Sequence, residues 1–210
     1  LQIANSAWFA TRQEVTDLKG AVRQLGLTTL RNLALGIGAF DAARSELRHH
    51  TKWVEQLQER ALRTAKLAGS LVRRGQAANE AFLGGLLCNV GLLALATVSR
   101  DRLERSEAEA ARSHAPLHQA EAKLWGCTHA EVGAALLGLW GLPFGVVETV
   151  LNHHAPERNV RDVLGPPQAV WIAASSVEGE PLDAAYLDKI GATELVRKIQ
   201  QQGSEVKVGV

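Results

Sequence analysis

Thr128-His129-Ala130-Glu131-Val132-Gly133-Ala134-Ala135-Leu136-Leu137-Gly138-Leu139-Trp140-Gly141-Leu142-Pro143-Phe144-Gly145-Val146-Val147-Glu148-Thr149-Val150-Leu151-Asn152-His153-His154 is the stretch that decides the fold. Thr128 with Glu131 three residues on is a capping box, so a helix starts at His129. It runs to Trp140, where Gly141-Leu142-Pro143 turns the chain into a second helix ending at His154, ahead of Pro156. Two helices joined by a tight turn form an antiparallel hairpin. His129 lies about twelve residues before the turn centre and His154 about twelve after it. Both ends therefore return to one place, and His129 is expected beside His153 and His154. Val132, Ala135, Leu136 and Leu139 are expected to be buried on the first helix. On the second, Phe144, Val147 and Leu151 should continue by steps of three onto an inward His154.

Helical periodicity extends outward in both directions, with no alternating strand pattern. Thr16 is expected to cap a helix to Leu25, closed by Gly26. Thr28 opens another with Leu30, Leu33, Ala34, Ile37 and Phe40 on one face. A long helix runs from Thr51 to about Arg74, with Val54, Leu57, Ala61, Ala65, Ala68 and Val72 at steps of three and four. Asn79 is read as the cap of the next, which ends near Leu87. Another runs from about Gly91 through a mixed-charge segment in which Asp101 and Arg105 have i,i+4 spacing. Pro116 opens a helix closed by Gly126, and Pro166-Pro167 opens one to about Val177. Gly179-Glu180-Pro181 is a linker before two helices starting at Asp183 and Thr193. The fold expected is all-α, a multi-helix bundle of about ten helices without a sheet.

Composition narrows the function. The 210 residues are 46% hydrophobic and 21% charged, with a net charge of +1. That balance argues against nucleic acid as a partner, because neutralising phosphates needs a basic surplus, and against docking on an anionic membrane. Ala81 to Ser99 carries 19 residues without a charge, long enough to raise a membrane span. Asn89 and three glycines inside it instead favour two short buried helices meeting at Cys88-Asn89-Val90-Gly91. Two cysteines, Cys88 and Cys127, make no CxxC pair, and no secretory segment opens the chain, so a cytoplasmic location is expected. Arg60, Arg63, Lys66, Arg73 and Arg74 read as a solvated basic face. His49-His50 sits at a helix boundary. His114 and His118 are four apart, but Pro116 between them should break their alignment.

Several segments, taken in order, resemble the HDOD family, a bacterial signalling domain related to HD phosphohydrolases. They are Leu1-Gln2-Ile3-Ala4-Asn5-Ser6-Ala7, Ala21-Val22-Arg23-Gln24-Leu25-Gly26 with Leu30-Arg31-Asn32-Leu33, Glu80-Ala81-Phe82-Leu83-Gly84-Gly85-Leu86-Leu87, His129-Ala130-Glu131-Val132-Gly133, Trp140-Gly141-Leu142-Pro143 and His153-His154-Ala155-Pro156. The resemblance implies an HD-like helical core over 46–178, the remainder of an N-terminal helical sub-bundle over 1–45, and C-terminal helices over 179–210. It also implies further helices ahead of the Asn-Ser-Ala signature, so the domain is expected to be incomplete at its N-terminus.

Against the HD pattern, the sequence departs where metal chemistry is made. Cys88-Asn89 stands where His-Asp is expected. Glu55 falls near the first His, and Ala174 near the late Asp. His129, His153 and His154 survive. A pair of hard divalent ions needs carboxylates to offset its charge, and Glu55 is the one acidic residue the pattern supplies. The resemblance therefore implies a non-catalytic regulatory module without a cofactor, acting on signalling proteins, with a nucleotide or small molecule as a further ligand. Two alternatives stand beside it: a cyclic-dinucleotide phosphohydrolase with an atypical site, and a small-molecule sensor using the old pocket. If any metal binds, Cys88, His129, His153 and His154 are its expected ligands, and zinc the ion they suit.

Overall fold

The computed structural model describes residues 17–73, 75–158, 163–201 and 208–209. The Leu1 to Ala7 signature, Thr16 and Arg74 lie outside them. Among the described residues there are eleven α-helices: α1 (Leu18–Leu25), α2 (Leu27–Glu46), α3 (Thr51–Leu71), α4 (Gln76–Leu87), α5 (Val90–Ser113), α6 (Leu117–Trp125), α7 (His129–Leu139), α8 (Phe144–Leu151), α9 (Pro166–Glu178), α10 (Ala184–Lys189) and α11 (Thr193–Gln201). A single 3₁₀ turn, Pro156–Arg158, follows α8. The expectation of no sheet needs one amendment. Strands β1 (Leu182–Asp183) and β2 (Val208–Gly209) pair in parallel.

The long amphipathic helix behaves as its spacing demands. Val54, Leu57, Ala61, Ala65 and Ala68 are all completely buried, and α3 packs along α4 and α9. The approach to α4 is close because Gly85 has no side chain: a Cβ there would meet the Ala65 backbone at 2.9 Å. The main core joins α2, α3, α4, α5, α7 and α8 through Leu33, Phe40, Leu57, Phe82, Leu137 and Val150. A second cluster packs α9 to α11 on the end of α3 through Leu71, Ile172, Leu187 and Val196.

The uncharged stretch is core, not a span. α4 ends at Leu87, the chain turns at Cys88-Asn89, and the most apolar window across α4 and α5 is 83% buried inside the protein. α5 itself bends once. Ser99 leaves helical geometry at φ −161° and ψ 98°, and its Oγ accepts from the Arg102 N–H at 3.3 Å. That is N-cap geometry, so α5 is two rods joined by one extended residue.

Several local readings are corrected. α4 starts at Gln76 after Gly75, and Asn79 lies inside it. Asp17 caps α1 by accepting from the Gly20 N–H. Helix α2 turns Leu33, Gly36, Phe40 and Ala43 inward and leaves Ala34 and Ile37 exposed. Arg100 pairs with Glu104 and Glu107, and Glu109 with Arg112 and Lys123, in place of the expected Asp101–Arg105 pair. On the hairpin the buried faces are Ala130, Gly133, Ala134 and Leu137 against Val146, Thr149, Val150 and His153. Leu139 and Phe144 are 83% and 78% exposed. Both helices are apolar nearly all round, so periodicity alone could not set their phase.

Candidate functional site

The capping box forms as read. Thr128 Oγ1 accepts from the Glu131 N–H at 3.2 Å, and the Glu131 carboxylate accepts from the Thr128 N–H at 2.8 Å. This fixes His129 as the first residue of α7, where its backbone N–H has no partner inside the helix. Glu121 on α6 supplies one. Its Oε2 accepts from the His129 N–H at 2.8 Å and from Nδ1–H at 2.7 Å. Glu121 is completely buried. With the proton held on Nδ1, His129 directs its Nε2 lone pair away, toward His154 Nε2 at 2.9 Å. The hairpin thus brings its two ends together as the spacing demands.

α8 stops at Leu151, and His153 and His154 sit in the turn beyond it. His153 donates from Nδ1 to the Val150 carbonyl at 2.6 Å. Its ring is 1% exposed, and its Nε2 has no hydrogen-bond partner among the described residues. His154 is half-buried and lies between two rings, His118 at 4.2 Å and His153 at 3.9 Å between centroids. Burial disfavours the charged form of each. It holds His153 down at about 3, His154 well below the ordinary histidine value and His118 below it. All three are neutral at pH 7. One nitrogen from each of His129, His153 and His154 lies within 4.8 Å of the others.

Beside these rings is a cavity of about 230 Å³ lined by Arg60, Asn89, Glu107, His129, Glu178 and Glu180, among others. Close by, α5 lies tightly over α7. A Cβ on Gly91 would stand 2.8 Å from the Gly133 nitrogen. Asn89 is buried and donates from Nδ2 to Glu178 Oε1 at 3.3 Å. Glu107 is bound by Arg100 at 3.2 Å. Burial, and then the neighbouring Glu178, push the Glu180 carboxyl up.

The expected positions divide. Asn89, His129 and His154 line the cavity, and His153 lies against the rings of His129 and His154. Cys88 turns away, packs with the second core cluster and donates to the Gly85 carbonyl at 3.3 Å; burial pushes its thiol up. The three histidines are therefore grouped without it. Glu55 is on the exposed side of α3, next to the inward Val54, and does not line the cavity. From that helix Arg60 does, so it is not part of a solvated basic face. Ala174 is buried on α9, one turn before Glu178. Sequence reading missed Glu121, His118, Arg60, Glu178 and Glu180. His118 and Glu121 are i,i+3 on α6 and share a face, a signal hidden by pairing His118 with His114 across Pro116.

The pair of hard ions that an HD-type site implies does not fit these residues. The donors that converge are imidazole nitrogens with no carboxylate among them, Asn89 is engaged with Glu178, and Arg60 places a permanent positive charge in the cavity.

A sequence model of the HDOD domain matches residues 1–156. The chain belongs to the HDOD domain family. A relative from Treponema pallidum (strain Nichols), itself described as an uncharacterized protein, is 31% identical over 164 residues, covering 75% of this chain and 31% of that protein. The chain thus spans under a third of that relative's length. Among solved structures, an HDOD domain protein of unknown function from Geobacter sulfurreducens superposes with a TM-score of 0.67 at 18% identity, covering 95% of this chain and 76% of that one. A protein from Marinobacter aquaeolei VT8, provisionally described as a signal transduction protein, gives 0.67 at 25% identity, covering 96% and 48%. One from Shewanella amazonensis SB2B, provisionally described as a phosphohydrolase, gives 0.63 at 21% identity, covering 91% and 76%. These likenesses establish that this HDOD domain has the HD-like helical fold.

Proposed function

We infer that this HDOD domain is a non-catalytic cytoplasmic signalling module. It acts through contact with partner signalling proteins and reads a small molecule or nucleotide in its polar cavity. The observation that carries the reading is Arg60 in the cavity. A guanidinium stays charged at every relevant pH. Placed beside the histidines, it opposes two divalent ions and favours an anionic ligand instead. Of the cavity carboxylates, Glu107 is paired with Arg100 and burial pushes the Glu180 carboxyl up, while the hydrogen bond that Glu178 accepts from the neutral Asn89 amide offsets none of its charge. The description of the Marinobacter relative as a signal transduction protein supports the same reading. Exposed Leu139, Trp140 and Phe144 around the α7–α8 turn supply apolar surface of the kind that protein contacts use.

The test is turnover. Purified protein is assayed against bis-nitrophenyl phosphate and cyclic dinucleotides with manganese, nickel, iron and zinc each supplied. The expected result is hydrolysis no faster than with the His129→Ala variant. Turnover that disappears in His129→Ala or His153→Ala overturns the reading in favour of a phosphohydrolase.

A further inference from the structure

We propose that two copies of this chain pair through α2, running antiparallel about a two-fold axis that passes between Gly38 and Ala39. This goes beyond the regulatory reading and does not depend on it, since a module of any activity can work as a pair.

Among the described residues, α2 leaves an apolar groove along one side. Part of it, about 440 Å³, lies between α2 and Trp140 at the end of α7, and its α2 wall includes Arg31, Leu35, Gly38 and Ala39. The rest, about 170 Å³, is floored by Val90, Leu93 and Leu136 and reaches Glu46. The two share Ala39, Ala42 and Trp140, so they form one groove. Trp140 is 36% exposed along it, and tryptophan is a residue type that protein interfaces favour.

The order of residues on the α2 wall names the occupant. Arg31, Leu35, Gly38, Ala39, Ala42 and Glu46 follow one another by about a helical turn and share a face. Arg31 and Glu46, Leu35 and Ala42, and Gly38 and Ala39 stand at equal distances on either side of the point between Gly38 and Ala39. A second α2 laid antiparallel over this face presents the same pattern in reverse. Each Arg31 then meets the partner's Glu46, and each Leu35 the partner's Ala42. A parallel pair would set Arg31 against Arg31 and Glu46 against Glu46, so charge selects the antiparallel direction. Two nearby charges are already satisfied: Asp41 and Arg44 pair at 2.7 Å, and Arg44 also donates to Gln58. Arg31 is held at its end of the groove by donating to the Gly141 carbonyl at 2.8 Å.

Gly38 points the same way. Glycine inside a helix weakens it. Gly36 has a reason to be glycine, because a Cβ there would stand 2.9 Å from Leu87 Cδ2. Gly38 has no such reason among the described residues, since its Cβ would meet nothing within 4 Å. The distance between packed helix axes is set by the side chains at the crossing. Gly38, Ala39 and Ala42 therefore permit a close approach, at the centre of the face that the charges mark out.

The experiment is sedimentation equilibrium of the full chain over a range of concentrations, with helicity checked by circular dichroism. A face one helix long is at the small end of stable interfaces, so a dimer dissociating at about micromolar concentrations is expected. Arg31→Glu and Glu46→Arg should each weaken it about 10- to 100-fold, because either one turns both ion pairs of the dimer repulsive. The two reversals combined should dimerise as the parent does. Gly38→Leu, which disturbs no hydrogen bond, should give a monomer that melts no lower than the parent. A combined reversal as weak as the single ones, or Gly38→Leu dimerising like the parent, overturns the proposal. So does a parent that stays monomeric throughout; if Gly38→Leu then melts well below it, the groove is filled from within the same chain instead.

Discussion

Gly91→Ala should unfold this protein from the site outward. Gly91 starts the second residue of α5 and faces the first turn of α7. A methyl group there would overlap the His129 carbonyl oxygen and stand 2.8 Å from the Gly133 nitrogen. Both obstacles are backbone, so neither can rotate aside. The His129 carbonyl oxygen is the nearer, so the helices must part by about an ångström before the methyl clears it, at the point where Gly133 in turn allows their contact. Overpacking of this kind costs about 1–3 kcal/mol when side chains give way, and a backbone obstacle places the cost near the top, at about 3 kcal/mol. For a chain of this size each kcal/mol moves Tm by roughly 2–4 °C, so thermal denaturation followed by circular dichroism should show a fall of about 6–12 °C. Gly138→Ala is the control. It lies on α7 with nothing within 4 Å of its Cβ, and alanine there should stabilise by about 0.4–1 kcal/mol. A Gly91→Ala protein that melts with the parent, while its His129 resonances are unmoved, would refute the close crossing of α5 and α7 as the device that sets the site.

Glu121→Ala leaves the buried N–H and Nδ1–H of His129 without an acceptor, at about 3 kcal/mol together, whereas Glu121→Gln keeps an oxygen and should cost about 1; urea denaturation separates the two, and equal losses would mean that Glu121 acts as a charge and not as an acceptor. Acid should destabilise the metal-free protein ahead of any carboxylate titration. His153 takes up its proton near 6.5 when unfolded but only at about 3 when folded, so the unfolded state binds more protons and the stability it confers is present above pH 6.5 and lost as pH falls. Between pH 7.5 and 5 that is about 2 kcal/mol from this ring, with His154 and His118 adding in the same direction. Urea midpoints that stay flat over that range would contradict neutral burial.

The fold was legible wherever a signal was local. Capping residues, Gly-Leu-Pro and Pro-Pro set the ends of α6, α7 and α9 to within a residue or two, and the hairpin arithmetic placed His129 against His154. Legibility failed where phase depended on both sides of a helix being apolar, as in α7, α8 and α2. At the site it failed for a different reason. Glu121 and Arg60 are charged residues on helices with an exposed face, and charge alone is read as solvent exposure. Their burial arises from α6 and α3 packing against other helices, which no spacing within one segment encodes. The Glu55 and Ala174 positions were carried from a family pattern; α3 and α9 instead offer Arg60 and Glu178 to the cavity.

The bend at Ser99 gives the cavity walls a mechanical relation. Asn89 and Leu92 stand at the start of the first rod of α5, while Glu107 is on the second, whose Ser106 and Glu109 accept from Trp125 and Lys123 of α6. The two walls are joined through a single extended residue. Leu93 on the first rod and Leu103 on the second are both buried in the main core, so a ligand that touches Leu92 and Glu107 bears on both rods at once. The second rod ends at Ser113, on the surface, so a wall of the cavity and an exposed helix end belong to one rod.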